Sequence, residues 1–390
     1  MNTLKKLSFL LLISLLFSCT QEKKATIITV KNSLDIERTF EIVEIQLSEL
    51  TINSVNTIGI KNKKTGELLT TQLVDVDGDG KMDEILFQPK IAPNSKASFE
   101  VVTITEAEKP TAPALCYSRF VPERTDDYTW ENDRVAFRVY GPNAQYRAEN
   151  NLPQPTLSSG VDAWLKKVDH PIINNWYKKE TETDGTYHQD TGEGLDNFHV
   201  GVSRGVGGIA VKVNDTYYLS KNYTKWRTIT TGPLRTSFYL EYENWDANGK
   251  TIKESKIISL DLGSNLSKFS TNISGTNTIA AGLTLHEKDG EVTGNTKNGW
   301  VSYWQPHANS ELGTAIVADK STFKAFEKYD IETKDLSNAY AHLNVKNNKV
   351  VYYAGFGWKV RSKFNSKQEW EGYLDVFSKQ INNPLEISIN

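Results

Sequence analysis

Cysteine is scarce in this chain of 390 residues, which contains only Cys19 and Cys116. So few thiols argue against a disulfide framework, and the mature protein must be stabilised by its hydrophobic core. Cys116 is therefore predicted to be a small buried apolar residue rather than a nucleophile.

A surplus of charge of either sign is also missing, because the formal net charge is -3 and no block of like charges occurs. This composition predicts no binding of nucleic acid, and any anionic substrate must be met by local cations. The P-loop, the Rossmann fingerprint, the GxSxG elbow and the HExxH motif are absent, which argues against nucleotide chemistry, serine hydrolysis and zincin proteolysis. No cofactor is predicted for catalysis.

The first residues, MNTLKKLSFLLLISLLFSC, hold an apolar run after two lysines. The run is too short for a spanning helix, so residues 1–19 are predicted to be a signal peptide. Leu16 stands three positions before Cys19 and Ser18 directly before it, a pattern that resembles a bacterial lipobox. The sequence thus predicts a lipid on the Cys19 thiol and an outer-membrane lipoprotein that faces the periplasm or the cell surface. Membrane contact is expected only through this anchor, and a plain secretory signal is the alternative.

Short alternating runs divided by glycine and asparagine turns fill the rest of the chain, which predicts a mainly β protein with few helices. Residues 20–110 read as a small N-terminal β-domain, and residues 111–390 read as a large antiparallel two-sheet sandwich that carries the catalytic site. Helices are predicted at SGVDAWLKKV, near STFKAFEKY, and at SKQEWEGYLDVFSKQI, where Ser366 and Glu369 form a capping box.

The motif DVDGDGKMDEILF lies in the small N-terminal domain. Its aspartates supply oxygen ligands at the spacing of a calcium loop, and Gly80 permits the sharp turn. Leu86 stands where an EF-hand carries its last acid, so the motif resembles the shorter DxDxDG loops. A structural calcium site and a metal-free hairpin turn, in which the aspartates cap backbone amides, remain equal alternatives. The predicted ligands are Asp75, Asp77, Asp79 and Asp83.

Two predicted strands carry arginine on the face opposite their apolar side chains. In WENDRVAFRVYGP these residues are Arg134 and Arg138, with Tyr140 beside them, and in LRTSFYLEY the residue is Arg235. Guanidinium groups bind planar carboxylate or sulfate in a bidentate way, so both faces are candidate anion sites. The alternative is a solvated face paired with nearby acids.

Residues 187–208, YHQDTGEGLDNFHVGVSRGVGG, gather two histidines, three carboxylates, an arginine and six glycines. Glycine weakens a strand but admits close approach of backbone or ligand, so this composition indicates a functional site. The apolar parity changes between Phe198–Val202 and Ile209–Val213, which predicts a bulge or turn at 205–208. Zinc is a weaker interpretation, since the histidines and acids lack a ligand spacing.

WENDRVAFRVYGP, SSGVDAWLKKVDHPIINNWY, YHQDTGEGLDNFHVGVSRGVGG and TGPLR follow one another within roughly residues 115–390. In this combination the chain resembles a family of secreted bacterial domains of formerly unknown function from loci that degrade uronate polysaccharides such as ulvan and pectin. It is most similar to the ulvan oligosaccharide dehydratase type. The resemblance implies a β-supersandwich like that of galactose mutarotase, and removal of water from unsaturated uronate ends. It transfers no catalytic residues, so their roles rest on residue chemistry.

We therefore expect a carbon-oxygen lyase, a hydro-lyase acting on an anionic oligosaccharide. Removing a proton next to a carboxylate builds negative charge there, which requires a base and a cation. His188 is the predicted base, Tyr187 the acid that assists hydroxide departure, and Arg204 the cation. The predicted substrate-binding residues are Arg134, Arg138, Trp164, His199, Trp226, Arg235 and His286.

Three other functions stay open. A polysaccharide lyase would use the same groups to expel a glycosidic oxygen in place of water. A non-catalytic glycan-binding lipoprotein would need the aromatic residues and arginines but not His188. A mutarotase-like epimerase rests on fold analogy alone. The oligomeric state is not predicted.

Overall fold

The computed structural model describes residues 25–52, 54–333, 335–361 and 363–390, and this part of the chain is mainly β. Cys19 and the predicted signal peptide lie outside the described residues. No helix in the described ranges is long and apolar enough to cross a membrane.

Strands follow one another along these ranges, with a few helices between them. The strands up to residue 103 are β1 (Ile27–Asn32), β2 (Val43–Gln46), β3 (Ile58–Asn62), β4 (Leu68–Leu69), β5 (Thr71–Val74), β6 (Glu84–Phe87) and β7 (Ser95–Thr103). The next part holds β8 (Tyr117–Val121), β9 (Asp127–Glu131), β10 (Ala136–Val139), α1 (Pro142–Glu149), β11 (Asp162–Lys166), α2 (Ile173–Glu182), β12 (Gly194–Leu195), β13 (Val206–Val213) and β14 (Thr216–Tyr218). Then follow β15 (Tyr223–Thr230), β16 (Arg235–Tyr242), β17 (Trp245–Ala247), β18 (Lys250–Asp261), β19 (Leu266–Ser274), β20 (Thr278–Thr284), β21 (Glu291–Asn295) and β22 (Trp300–His307). The last elements are β23 (Ser310–Val317), β24 (Phe323–Tyr329), β25 (Asn338–Asn344), β26 (Lys349–Trp358), α3 (Lys367–Ile381) and β27 (Glu386–Ile389). Short 3-10 helices lie at Leu47–Glu49, Val55–Thr57, Glu106–Glu108, Pro122–Arg124 and Lys359–Arg361.

Two antiparallel sheets form a large sandwich. One has the strand order β14-β13-β20-β25-β24, and the other runs β15-β16-β18-β19-β26-β23-β22-β21 with β17 paired to β18. The main hydrophobic core lies between them, because inward side chains such as Ile279 of the first sheet and Phe269 of the second are buried in one cluster. The prediction of a mainly β, antiparallel sandwich with few helices is confirmed.

The N-terminal residues build two smaller sheets around their own core, in the orders β27-β1-β7-β3-β4 and β2-β6-β5. The last strand of the chain, β27, joins this unit by pairing with β1, where Thr29 lies opposite Ser388. The predicted boundary near residue 110 stays a prediction, and the C-terminal residues return across it.

A further sheet, β12-β11-β10-β9-β8, positions the candidate site. Phe137 and Leu165 on one of its faces belong to the main core, whereas Ala136 and Trp164 on the other face pack under α2. Because both faces are covered, every residue of β11 is buried.

Two helix predictions are wrong. SGVDAWLKKV forms strand β11, whose charged residues are hidden in ion pairs, so the sequence shows no strand-like alternation of polar and apolar faces. STFKAFEKY forms the edge strand β24, where pairing with β25 overrides the helix preference of its lysines, alanine and glutamate.

The predicted C-terminal helix is confirmed as α3. Ser366 is its N-cap and accepts the Glu369 amide at 3.2 Å. The capping box is only half formed, because the Glu369 carboxylate accepts the amide of Asn365 instead. Trp370 and Leu374 anchor the apolar stripe in a core cluster on the outer face of β22 and β23.

Candidate active site

The stretch 194–205 leaves β12 and returns to β13 along one wall of a cavity of about 660 Å³. The floor is formed by Arg138 of β10 and by Tyr140, which follows this strand. Segments after α1 and before β25 complete the rim. The lining residues are Arg138, Tyr140, Ala148, Pro155, Thr156, Leu157, His188, Asp335 and the seven residues 196–202.

Two glycines allow this wall to fold closely onto its neighbours. Gly201 has φ +51°, and a Cβ there would lie 2.2 Å from the Asp335 carboxylate. Gly205 has φ +58°, and its Cβ would lie 1.9 Å from the Val161 carbonyl oxygen. Both positions need glycine, since other residues disfavour this backbone region and would clash. The register shift between Val206 and Ile209 confirms the predicted bulge.

One buried arginine organises the cavity floor. Arg138 is 5% exposed and donates to Asp162 Oδ2 from Nε at 3.0 Å and from Nη2 at 2.6 Å. Nη2 also donates to Asp196 Oδ2 at 2.8 Å, and Nη1 donates to the Tyr187 hydroxyl at 3.0 Å. A third carboxylate, Asp127, lies 3.8 Å from Nη1. Three carboxylates therefore meet at a single guanidinium.

This excess of carboxylates favours retention of a proton. Burial, together with the charge of Asp196, raises the pKa of Asp162 to about 7. Burial likewise raises the pKa of Asp127 to about 6. The Tyr140 hydroxyl, which lines the cavity, donates to Asp162 Oδ2 at 3.3 Å. The floor can therefore hold or release a proton near neutral pH.

His188 has the arrangement required of a base. Its Nδ1 lies 2.6 Å from the main-chain carbonyl oxygen of Asp196, which can only accept, so Nδ1 carries the hydrogen. Nε2 is then the acceptor of the neutral ring, and no other described residue pairs with it. The side chain is 54% exposed, and the Asp196 carboxylate lies 3.7 Å from Nδ1.

The other histidines of this region differ in role. His199 is exposed, and its Nε2 pairs with Asp335 Oδ2 at 2.9 Å on the cavity wall. His286 donates from Nε2 to the His199 carbonyl at 2.8 Å, and burial lowers its pKa. Burial also lowers the pKa of His307 to about 4, and its Nε2 lies 3.1 Å from Asn197 Oδ1. These two neutral rings brace the loop from behind the cavity.

Tyr187 and Trp164 lie beneath the cavity and do not line it. Tyr187 is almost fully buried, and its ring packs 5.1 Å from that of Trp164. Trp164 is itself fully buried, so it has no face open to a sugar ring. Both rings instead flank the Arg138 guanidinium, at 5.6 Å and 5.1 Å. Tyr187 therefore contacts the cavity residues from below, through Arg138 and through its ring, which packs 4.7 Å from that of His188.

The structure does not bring Arg204 to this cavity. Its guanidinium is buried on the far side of Val202 and donates to Ser159 Oγ, at 2.9 Å, and to main-chain carbonyls. The chain turns at 200–203, where the Ser203 amide donates to the Val200 carbonyl at 2.9 Å. The Arg204 side chain that follows packs against Gly282.

Three further predicted binding residues lie on other surfaces. Arg134 donates to Asn265 at 3.1 Å, and Arg235 is paired with Asp261 and Glu44 at 2.5 Å and 2.6 Å. Trp226 is exposed on β15, where it stacks on a neighbouring phenylalanine ring. Arg138, His188 and His199 are thus the predicted site residues that line the cavity.

The aspartate loop has features of a calcium site and of a metal-free turn. Oxygens of Asp75, Asp77 and Asp83 lie within 4.8 Å of one another, whereas Asp79 pairs with Lys81 at 3.1 Å outside this group. Asp75 and Asp83 also accept backbone amides of the loop, as a metal-free turn requires.

Sequence reasoning missed Asp162, Asp196 and Asp335 as site residues. The segment of Asp162 is predicted as a helix, whereas a strand there would pair it with Arg138 on β10. Asp196 lies within the glycine-rich stretch, whose composition is the signal that could have found it. Asp335 meets His199 across 136 residues of sequence, and no local pattern signals that contact.

Comparison with known proteins gives a family and a fold. The family model described as "Domain of unknown function (DUF4861)" matches residues 30–387. An uncharacterised protein, P7, from Formosa agariphila is 54% identical over 388 residues, which is 98% of each chain. A protein in glycosyl hydrolase family 38 from Enterococcus faecalis matches with a TM-score of 0.51 at 10% identity, over 94% of this chain and 48% of that one. An alpha-mannosidase from Enterococcus faecalis V583 matches with a TM-score of 0.45 at 10% identity, over 94% and 46%. The chain spans about half the length of these solved structures, and the likeness concerns the fold alone.

Proposed function

Because the chain belongs to the family described as a domain of unknown function (DUF4861), we propose its function from the cavity itself. The function is that of a carbohydrate-active hydro-lyase, which eliminates water from uronate-containing oligosaccharides. Two observations support a carbohydrate substrate: the open cavity, which is lined by ionisable as well as apolar side chains, and the sandwich fold shared with a protein named for a glycosyl hydrolase family. Ulvan or pectin oligosaccharides are the substrate class we propose.

The observation that carries this proposal is the setting of His188. Its Nδ1 is fixed by the Asp196 carbonyl, so the lone pair on Nε2 is free for a substrate proton. The Asp196 carboxylate lies 3.7 Å from Nδ1. His286, by contrast, has both ring nitrogens occupied, by Gln305 and by the His199 carbonyl.

The acid in this proposal is the Tyr140–Asp162 pair, which takes the place of Tyr187. Tyr140 lines the cavity and its hydroxyl contacts Asp162, whose pKa is raised to about 7. Tyr140 can therefore give its proton to a leaving hydroxide and regain one from Asp162.

The proposed step is a balanced elimination. His188 Nε2 removes a proton from a ring carbon of the uronate unit, and the electron pair of that C–H bond forms a carbon–carbon double bond to the neighbouring carbon that carries the leaving hydroxyl. The adjacent C–O bond breaks, and its oxygen leaves as water with a proton from Tyr140. The donors nearest to the substrate carboxylate are His199, on the wall, and Arg138, on the floor, whose guanidinium Asp162 and Asp196 also contact.

Mass spectrometry of lyase-generated ulvan and pectin oligosaccharides tests this function. We expect the mature protein to lower the mass of an oligomer by one water, and His188→Ala to reduce the rate by a factor of at least about one hundred. His170→Ala is the matched control, because His170 is similarly exposed, at 57%, and pairs with Glu193 outside the cavity. It should keep the wild-type rate.

Other products would identify the alternatives. Two fragments from one oligomer would indicate a polysaccharide lyase that uses the same base. Tight binding without any change of mass, unaffected by His188→Ala, would indicate a glycan-binding lipoprotein and refute the hydro-lyase.

A further inference from the structure

We propose that a smaller cavity beside the first is an oxyanion subsite, which holds a carboxylate or sulfate group on the sugar unit next to the reacting one. This inference rests on the proposed function, since it assumes that a saccharide occupies the main cavity. It gives Arg204 a role in substrate selection rather than in the elimination itself.

The first observation is a buried cation without a counter-ion. Arg204 is 1% exposed, and its partners are neutral: the Ser159 hydroxyl and the carbonyls of Ile209 and Val202. No carboxylate of the described residues lies within 4.0 Å of its guanidinium. A buried unpaired charge is costly, so an anion that pairs with it gains more than it would at an exposed arginine.

The second observation is a cavity next to this guanidinium. Its volume is about 160 Å³, and its lining includes Arg204, Tyr217, Tyr329, Asn338 and Tyr340. This volume is small compared with the main cavity of about 660 Å³, so it suits one charged substituent rather than an oligosaccharide.

The cavity is built around the arginine. Gly282 leaves room for the Arg204 stem, because a Cβ there would lie 2.5 Å from Arg204 Cγ. Tyr217 stacks on Tyr340 with ring centroids 4.0 Å apart, and the Tyr217 hydroxyl is held by Glu327 at 2.9 Å. Tyr340 is 2% exposed, and its hydroxyl has no hydrogen-bond partner among the described residues. It is a second donor available to an anion.

The two cavities share one wall. Val202 lines both cavities and is 47% exposed. The segment with Asp335, which lines the main cavity, continues to Leu336 and Asn338, which line the smaller one. A saccharide chain that passes over Val202 would therefore place one unit in each cavity.

Asp215 favours an anion that belongs to a bound saccharide over a free anion from solvent. It is exposed and also lines the smaller cavity, so its negative charge opposes capture of a free anion from solvent. An oxyanion carried by a saccharide already bound in the main cavity overcomes this repulsion through its high effective concentration.

Calorimetry on the His188→Ala background tests the subsite without interference from turnover. The probes are lyase-generated pectin oligosaccharides and the same oligosaccharides after reduction of their carboxyl groups. We expect Tyr340→Phe to weaken binding of the acidic form roughly tenfold and to leave the reduced form unchanged. Arg204→Lys should also weaken binding of the acidic form. If Arg204→Lys does not fold, Tyr340→Phe alone still tests the subsite.

Tyr239→Phe is the control, because its hydroxyl contacts Glu241 on a different sheet, and it should bind both forms like the parent. If Tyr340→Phe weakens binding of the acidic and the reduced oligosaccharides equally, or of neither, the proposed subsite is overturned. Competition by sodium sulfate with the acidic oligosaccharide that disappears in Tyr340→Phe would also overturn it, because it would show a site for free anions. If the wild type produces no mass change but the acidic form still binds through Tyr340, the hydro-lyase fails and the subsite stands.

Discussion

Arg138 gathers three carboxylates at the cavity floor. At this residue one guanidinium meets the carboxylates of Asp127, Asp162 and Asp196, so the group carries more negative than positive charge unless a proton is retained. Burial prevents water from stabilising the extra charge, which is why the pKa of Asp162 rises. Arg138 opposes this rise, so the proton that Asp162 can pass to Tyr140 is retained because of burial and the charge of Asp196.

Asp162 should make stability fall as pH rises. Its pKa is about 4 in an unfolded chain and about 7 in the folded one, so the folded state binds the extra proton between these values. Its contribution is fully present below pH 4 and is lost as pH rises through 7. We expect the free energy of unfolding to drop by about 2–3 kcal/mol more between pH 5 and pH 8 in the wild type than in Asp162→Asn. Urea denaturation measures this, and equal slopes would contradict it.

Among the secondary-structure elements, two strands and one loop make the site. β10 and β11 are buried on both faces, which fixes Arg138 and Asp162, while residues 196–202 cross above them. Helix α2 is held beside this sheet because the Glu131 carboxylate accepts the amides of Ile172 and Ile173 and pairs with Lys166 at 2.7 Å. The floor is therefore held on both faces, and the loop supplies the exposed His199, whereas the exposed His188 comes before β12.

The aspartate loop between β5 and β6 should bind calcium. Oxygens of Asp75, Asp77 and Asp83 converge within 4.8 Å, and a divalent cation would relieve their repulsion. We expect calcium at one hundred times its Kd to stabilise the protein by about 2.7 kcal/mol. Asp77→Asn should remove most of this effect, whereas Asp79→Asn should not. Thermal unfolding with calcium and with a chelator measures both, and identical midpoints would show a metal-free turn.

Alternation of polar and apolar residues makes some strands predictable from the sequence, and other strands lack it. β16 has one buried face and one polar face, so its strand and the orientation of Arg235 follow from the sequence. β11 has no such contrast, because Asp162 and Lys166 are buried with their partners. Local composition marks His188 and His199 as site residues, but it cannot show that Arg204, a few residues later, turns to another cavity.

At the scale of the whole molecule, the N-terminal sheets and the sandwich belong to one family match, and the first and last described strands pair with each other. β27 lies beside β1, and the match over residues 30–387 includes the N-terminal sheets as well as the sandwich. The N-terminal unit is thus part of the common architecture of the family rather than an addition to this chain.

The lipobox-like sequence predicts attachment to a membrane through Cys19. We expect the protein expressed in a Gram-negative host to fractionate with the outer membrane and to carry a lipid on this thiol. Cys19→Ala should move it to the soluble fraction, whereas Cys116→Ala leaves the anchor intact. Cell fractionation with mass spectrometry of the N-terminal peptide measures this, and a soluble wild-type protein would favour a plain secretory signal.

The most direct test of the active site is a crystal structure of His188→Ala with a lyase-generated ulvan or pectin oligosaccharide bound. We expect a uronate unit between β10 and residues 196–202, with its carboxylate near Arg138 or His199 and the reacting carbon facing the vacated position of the imidazole. A saccharide bound on another surface, such as that around Trp226, would contradict the assignment of this cavity as the active site.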